Sequence, residues 1–212
     1  GRRMTERAAH LVDHVLPRVP VRQWVLSLPH RLRYLLAWNH ALCRAVLGVY
    51  VRVLLGFQRR QAHRLGIRDG QAGSVTVIQR FGGGLNLNVH FHTLVLDGVF
   101  AKTEPGLFRF HPAPPPSDEE VARVLATIRT RIRRLLERRG LETEDAGLTP
   151  SDPLAEASLA LAGISSASVQ GRIALGGRAG ARVLRLGREP NAPWVTSTGA
   201  RRAHLGGFDL YA

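Results

Sequence analysis

The sequence predicts an α+β fold, an antiparallel sheet that carries a His-x-His strand and packs against helices. Three observations predict it. Short β-prone runs that alternate residue by residue are bounded by proline or glycine. A long stretch repeats its apolar residues every three to four positions, and a second such stretch has a complete helix start signal. Val21 to Leu28 (VRQWVLSL) is the first strand, closed by Pro29, with Trp24 in or near the core. About thirty residues of helical pattern follow, in which Leu32, Leu35, Leu36, Leu42, Val46, Val49, Val53, Leu54 and Phe57 mark the buried side. The pattern is interrupted near Asn39 and ends in Arg59-Arg60 before Gly66.

Ser74 to Arg80 (SVTVIQR) is the second strand and Asn86 to Val99 the third, joined through Phe81-Gly82-Gly83-Gly84 as an antiparallel hairpin. His111-Pro112-Ala113-Pro114-Pro115-Pro116 then halts regular structure ahead of a helix. Ser117 and Glu120 form a capping box, Asp118 and Glu119 suit the positive end of the helix dipole, and Gly140 closes the helix. Val121, Val124, Leu125, Ile128, Ile132, Leu135 and Leu136 make one apolar face, and Arg123, Arg129, Arg131, Arg133, Arg134, Arg138 and Arg139 the other. Residues 141–161, acidic and alanine-rich with Pro150 and Pro153, form a surface insertion or linker, and Ile164 to Gly187 suggests short strands or a hairpin. The length fits one compact unit over residues 1–212.

The chain carries 30 basic and 16 acidic residues, a formal charge of +14, and Lys102 is its only lysine. Guanidinium forks match phosphate oxygens in pairs and stack on bases, so nucleic acid is the expected partner. An anionic membrane surface is the alternative, although no segment reads as a continuous apolar span of transmembrane length. Cys43 stands alone in an apolar helix, which excludes a disulfide framework or a cysteine zinc site in this chain and suits a cytosolic protein. No signal peptide is legible, since His10, Asp13 and His14 interrupt Ala8 to Val15. A start on Gly1 and an end inside the strand-like Leu210-Tyr211-Ala212 read as a piece of a longer protein.

Chemistry concentrates in the third strand. Asn86, Asn88, His90 and His92 fall on one face and Val89, Phe91 and Val95 on the other. Two imidazoles on one face can close on one ion, and a two-histidine site with open positions suits a divalent ion that polarises a phosphate. The third ligand is open among Gln79, Asn88, Asp97 and His204, because strand register is not readable from sequence. His10 and His14, four apart, lack the glutamate of a zinc protease and are expected at the surface. Phe81-Gly82-Gly83-Gly84 lacks the lysine of a phosphate loop and is read as a flexible turn. Arg80, Arg129, Arg133 and Arg134 are candidate DNA contacts.

Val21 to Leu32 (VRQWVLSLPHRL), Ser74 to Gly98 (SVTVIQRFGGGLNLNVHFHTLVLDG) and Gly207 to Leu210 resemble the two-tyrosine rolling-circle transposases of the bacterial IS-ninety-one group. These belong to the His-hydrophobe-His single-strand nucleases, with plasmid replication initiators and relaxases. The resemblance implies that His90 and His92, with one further polar side chain such as Gln79, hold magnesium or manganese. It further implies single-stranded DNA at transposon ends as substrate, a tyrosine nucleophile and a 5′-phosphotyrosine intermediate. Relatives begin with a cysteine-rich zinc module and continue into a tyrosine-bearing segment, neither of which matches this chain. Tyr34 and Tyr50 are expected to pack, Tyr211 stands where relatives tend to have histidine, and the nucleophile is expected beyond Ala212.

The sequence therefore predicts a bacterial, cytoplasmic, nucleoid-associated transposase of the rolling-circle type that binds DNA and a divalent ion, with no membrane partner. The chain alone is expected to be inactive in cleavage. The alternatives are a non-catalytic DNA-binding remnant of a decayed transposase, and a replication initiator or relaxase with the same chemistry.

Overall fold

Among the described residues, strand and helix signals resolve, in the computed structural model, into eight strands and three helices. The structure describes residues 6, 9–81, 87–141, 163–164, 167, 172–173, 176–181 and 196–212. The elements run β1 (Val21–Ser27), α1 (His30–Trp38), α2 (His40–Arg64), β2 (Ser74–Phe81), β3 (Leu87–Leu96), β4 (Gly98–Glu104) and β5 (Leu107–Pro112). Then come α3 (Asp118–Glu137), β6 (Thr196–Gly199), β7 (Arg202–Leu205) and β8 (Phe208–Tyr211). A π-helical turn, Leu11–Val15, precedes them. The α+β fold is as expected.

Six strands form one sheet in the order β2-β3-β1-β8-β7-β6, every pairing antiparallel. Alternation decides what each face holds. Trp24 and Leu26 of β1, Val89, Phe91 and Val95 of β3, Leu210 of β8 and Ala203 of β7 join one buried core with the inner sides of all three helices. Trp24 meets Phe57 edge-on at 5.8 Å, and Tyr50 stacks on Phe91 at 5.8 Å. Each large side chain withdrawn from water in this layer contributes about 1.5–3 kcal/mol.

The helical stretch breaks at Asn39, whose side chain accepts from the Leu42 backbone N–H at 2.8 Å and caps α2. By length and hydropathy α2 could cross a membrane, contrary to the sequence expectation that no segment could. Leu42, Val46, Tyr50, Val53 and Phe57 instead face this protein's own core, while Arg44, Arg52, Arg59 and Arg60 stay exposed. Ser117 and Glu120 make both bonds of the capping box on α3. Glu120 also accepts from Gln61 at 2.9 and 3.0 Å and from Arg64 at 2.8 Å, tying the end of α2 to the start of α3. Burial alone would raise the Glu120 carboxyl, but the bonds from Arg64, Ser117 and Gln61 outweigh it and hold it below the usual range.

The expected third strand, residues 86–99, is two strands. β3 stops at Leu96, and β4 leaves to pair with β5 in a separate two-stranded sheet, with an isolated bridge from Phe100 to Gln71. Asp97 makes the corner. Its backbone N–H donates to Pro20 O at 2.8 Å, its carbonyl accepts from Ala113 at 2.8 Å, and its carboxylate takes a two-pronged bond from Arg22 at 2.6 and 3.1 Å. Gly98 follows because an added Cβ would lie 2.7 Å from the Phe110 ring and against the His111 carbonyl. Asn86, the triple glycine at 82–84, nearly all of 141–161 and most of Ile164 to Gly187 lie outside the described residues.

Ile128 is fully buried at the centre of α3. Ile128→Ala should lower unfolding free energy by about 2–5 kcal/mol and Ser117→Ala by about 1 kcal/mol. Urea unfolding with an unchanged m-value is the measurement that checks both.

Candidate metal centre on the histidine face of the sheet

The second face of the sheet collects the polar side chains. Register puts Gln79 of β2 opposite His90 of β3, His90 opposite Ser27 of β1, Ser27 opposite Asp209 of β8, and Asp209 opposite His204 of β7. One transverse row thus carries a polar residue on five successive strands. The next row is Val77, His92, Val25, Tyr211 and Arg202. Gln79, Val77, Gln23 and Tyr211 are exposed there, so solvent reaches this face beside the histidines.

His90 and His92 stand together, ring centroids 4.8 Å apart. The Nδ1 atom of His90 lies 2.5 Å from the backbone carbonyl of Asn88. A carbonyl can only accept, so Nδ1 carries the proton and Nε2 keeps its lone pair. Burial, together with the neighbouring His92 and Arg33, holds the His90 imidazole below its ordinary value, although the bond to Asn88 pulls the other way. His90 is therefore a neutral ring with a free donor atom, which is what a metal ligand must be. The Nδ1 atom of His92 is 2.8 Å from the amide nitrogen of Gln23, which reaches it from β1.

The four candidates for a third ligand separate. Asp97 is committed to Arg22 at the corner of the fold. His204 bonds Asp209 at 2.9 Å and lies three strands from His90, about 14 Å at ordinary strand spacing. Among the described residues no third His, Cys, Asp or Glu gathers with the pair. The two amides remain beside it. Gln79 sits directly across from His90, its amide nitrogen donating to Phe81 O at 3.1 Å. Asn88 shares the face, and its Oδ1 is buried without a hydrogen-bond partner.

The arginines expected on DNA lie elsewhere. The apolar side of α3 packs on the core face of the sheet, so Arg129, Arg133 and Arg134 are across the sheet from the histidines. Arg129 is half-buried over the turn at Gly206, where an added Cβ would come 2.9 Å from its Nε. Arg134 lines a shallow groove with Thr127, Thr130 and Arg131. Arg80 donates to Ala37 O at 3.2 Å and lies 2.8 Å from His40 Nδ1, closing the end of α1. Tyr50 is buried, with its hydroxyl pushed well above the ordinary range by burial, and Tyr34 packs beside Trp38 at 6.3 Å. Tyr211, 49% exposed, is on the histidine face with one strand between it and His92. His10 and His14 are exposed, as expected.

Residues 73–157 match a family model, Y2_Tnp, described as "Putative transposase". The match supports a transposase. It covers less than half of the chain, yet it spans β2 through α3 and includes Gln79, His90 and His92. A transposase acts on DNA, so the match also supports a cytoplasmic, DNA-acting protein with nuclease or transposase activity in general. No curated protein and no solved structure matches the chain.

Sequence reasoning missed Gln23 as the contact of His92, and the His204–Asp209 pair. Alternation with Trp24 and Leu26 already puts Gln23 on the non-core face, but only register shows which histidine it meets.

The folded state resists protonating His90, so the unfolded chain binds more protons as pH falls through about 6.5. That contribution to stability is complete above this range and is lost on the acid side. In an NMR titration the His90 ring should show a midpoint below 6.5, and a midpoint above it would contradict the burial argument.

Proposed function

We propose that this chain is the ion-binding and DNA-binding part of a rolling-circle transposase of the two-tyrosine, His-hydrophobe-His kind. It acts on single-stranded DNA at transposon ends, in association with the bacterial nucleoid. One observation carries the proposal. His90 and His92 project side by side from one face of a strand paired on both edges, and the ring nitrogen of His90 not bonded to the Asn88 carbonyl is the unprotonated one.

The residues fit a divalent ion. Two imidazoles supply nitrogen donors, and Gln79 or Asn88 supplies the amide oxygen, the orphaned Asn88 Oδ1 being an acceptor that a cation would satisfy. Magnesium or manganese bound there would polarise a phosphate oxygen of the DNA and offset charge that builds at the scissile bond. The residues of the chain do the rest. β3 fixes both rings from the centre of three strands, and the Asn88 carbonyl orients His90. The exposed Tyr211 and Arg202 lie two and three strands along the same row from His92 and offer a ring for stacking and a cation for phosphate farther along the face. The arginine-lined groove on α3 is a second, distal stretch for backbone contact.

Tyr34 and Tyr50 are packing residues. In this reading the attacking tyrosine is none of the chain's three, and the chain by itself binds without efficient cleavage. Mn²⁺ titration by calorimetry should give saturable binding that falls at least about tenfold in His90→Ala and in His92→Ala. Single-stranded DNA should bind with an affinity that drops steeply as salt rises. Absence of Mn²⁺ binding would leave a non-catalytic DNA-binding remnant as the better account. A covalent DNA adduct that disappears in Tyr211→Phe would overturn the assignment of the nucleophile.

A further inference from the structure

The two imidazoles are held by different kinds of partner, and the difference has chemical content. His90 Nδ1 faces the backbone carbonyl of Asn88, a group that can only accept. His92 Nδ1 faces the side-chain amide of Gln23 at 2.8 Å, with the NH₂ end turned toward the ring. In that orientation the amide donates, Nδ1 accepts, and the proton of a neutral His92 sits on Nε2, where it leaves no lone pair for an ion. Half a turn of the amide exchanges its nitrogen for its oxygen in nearly the same space. Oε1 then accepts from Nδ1–H, and the Nε2 lone pair of His92 becomes available beside that of His90.

We propose that Gln23 is the positioning residue of the site: it fixes the His92 ring through Nδ1 and, by presenting Oε1, selects the tautomer in which both histidines offer Nε2 to a divalent ion. The proposal rests on the ion-binding reading of His90 and His92. Gln23 is suited to this because its backbone is held on both sides in sequence. Arg22 before it is clamped to Asp97, Trp24 after it is 1% exposed in the core, and Gln23 itself pairs with Leu94 of β3. The strand therefore cannot drift, while the amide at its exposed end can rotate. The Asn88 carbonyl permits one tautomer of neutral His90, whereas Gln23 permits two of His92. His92 is thus the half of the pair that rearranges when the ion arrives. An outer partner of this kind is worth about 10- to 100-fold in metal affinity.

The test uses the full chain, with Gln23→Leu, which removes the amide at similar volume, and Gln23→Asn, which keeps an amide too short to reach. Gln23→Glu offers only acceptor oxygens. Two readouts are taken: Mn²⁺ affinity by calorimetry, and the ¹⁵N signature of the His92 ring with and without Mg²⁺. Gln23→Leu and Gln23→Asn should lose about 10- to 100-fold in Mn²⁺ affinity while the His90 ring keeps its Nδ1–H signature. Gln23→Glu should retain wild-type affinity or better and show His92 as the Nδ1–H tautomer even without metal. Wild-type protein should move toward that tautomer on adding Mg²⁺. Wild-type affinity in both Gln23→Leu and Gln23→Asn, or an Nε2–H signature for His92 in the Mg²⁺-loaded protein, would overturn the role of Gln23 and leave the ion site standing. Failure of the wild-type chain to bind Mn²⁺ would overturn the ion site itself, and the role of Gln23 with it. Should Gln23→Leu fail to fold, Gln23→Asn and Gln23→Glu decide the matter, since both keep a polar side chain at this exposed position.

Discussion

Everything in this molecule depends on strand β3 being paired on both edges. β1 and β2 hydrogen-bond to it along nearly its whole length, so its ten residues cannot rotate or slip without breaking two ladders at once. A strict alternation then does two jobs. Val89, Phe91 and Val95 anchor the core under the helices, and Asn88, His90 and His92 are delivered to the other face. A one-residue slip would put both imidazoles into the hydrophobic layer and Phe91 into water, so the fold and the site are stabilised by the same pairing.

The corner at Asp97 sets the extent of that arrangement. Beyond it the chain leaves the main sheet for the β4–β5 hairpin, and the Arg22–Asp97 pair holds the departure point against the start of β1. A carboxylate placed near a histidine pair in sequence invites a role as ligand, but here it is taken by the Arg22 guanidinium, while the Asp97 main chain is fixed by two backbone bonds. The same logic applies to Arg80, which closes the end of α1 rather than standing free.

Most of the helical arginines and the histidine pair occupy opposite sides of the sheet. His90 and His92 project from the face opposite the helical core layer, although Arg33 of α1 lies near His90, while Arg44, Arg52, Arg59 and Arg60 of α2 and Arg131 and Arg134 of α3 are exposed on the helices. A protein with +14 formal charge attracts a polyanion from every direction. The helical arginines offer cations on one side, and Gln79, Gln23, Tyr211 and Arg202 are among the exposed groups of the histidine face.

Local order was legible from residue types. Proline and glycine punctuation, the Ser117–Glu120 capping box, the break at Asn39 and the alternation about His90 each depend on neighbours within a few positions, and all are present. The end of β3 at Leu96 was not legible, because the apolar run through Val99 has the same local pattern on both sides of a corner made by Arg22 and Pro20, more than seventy residues away. The sequence by itself determined that two histidines share a face and that the face is polar. Tertiary structure decided what that face contains: Gln79 and Ser27 across from His90, Gln23 on His92, Asp97 withdrawn, and the α3 arginines on the far side. The reason is physical. Alternation is a property of one strand, whereas neighbours on a face are set by the register of strands that meet only when the chain folds.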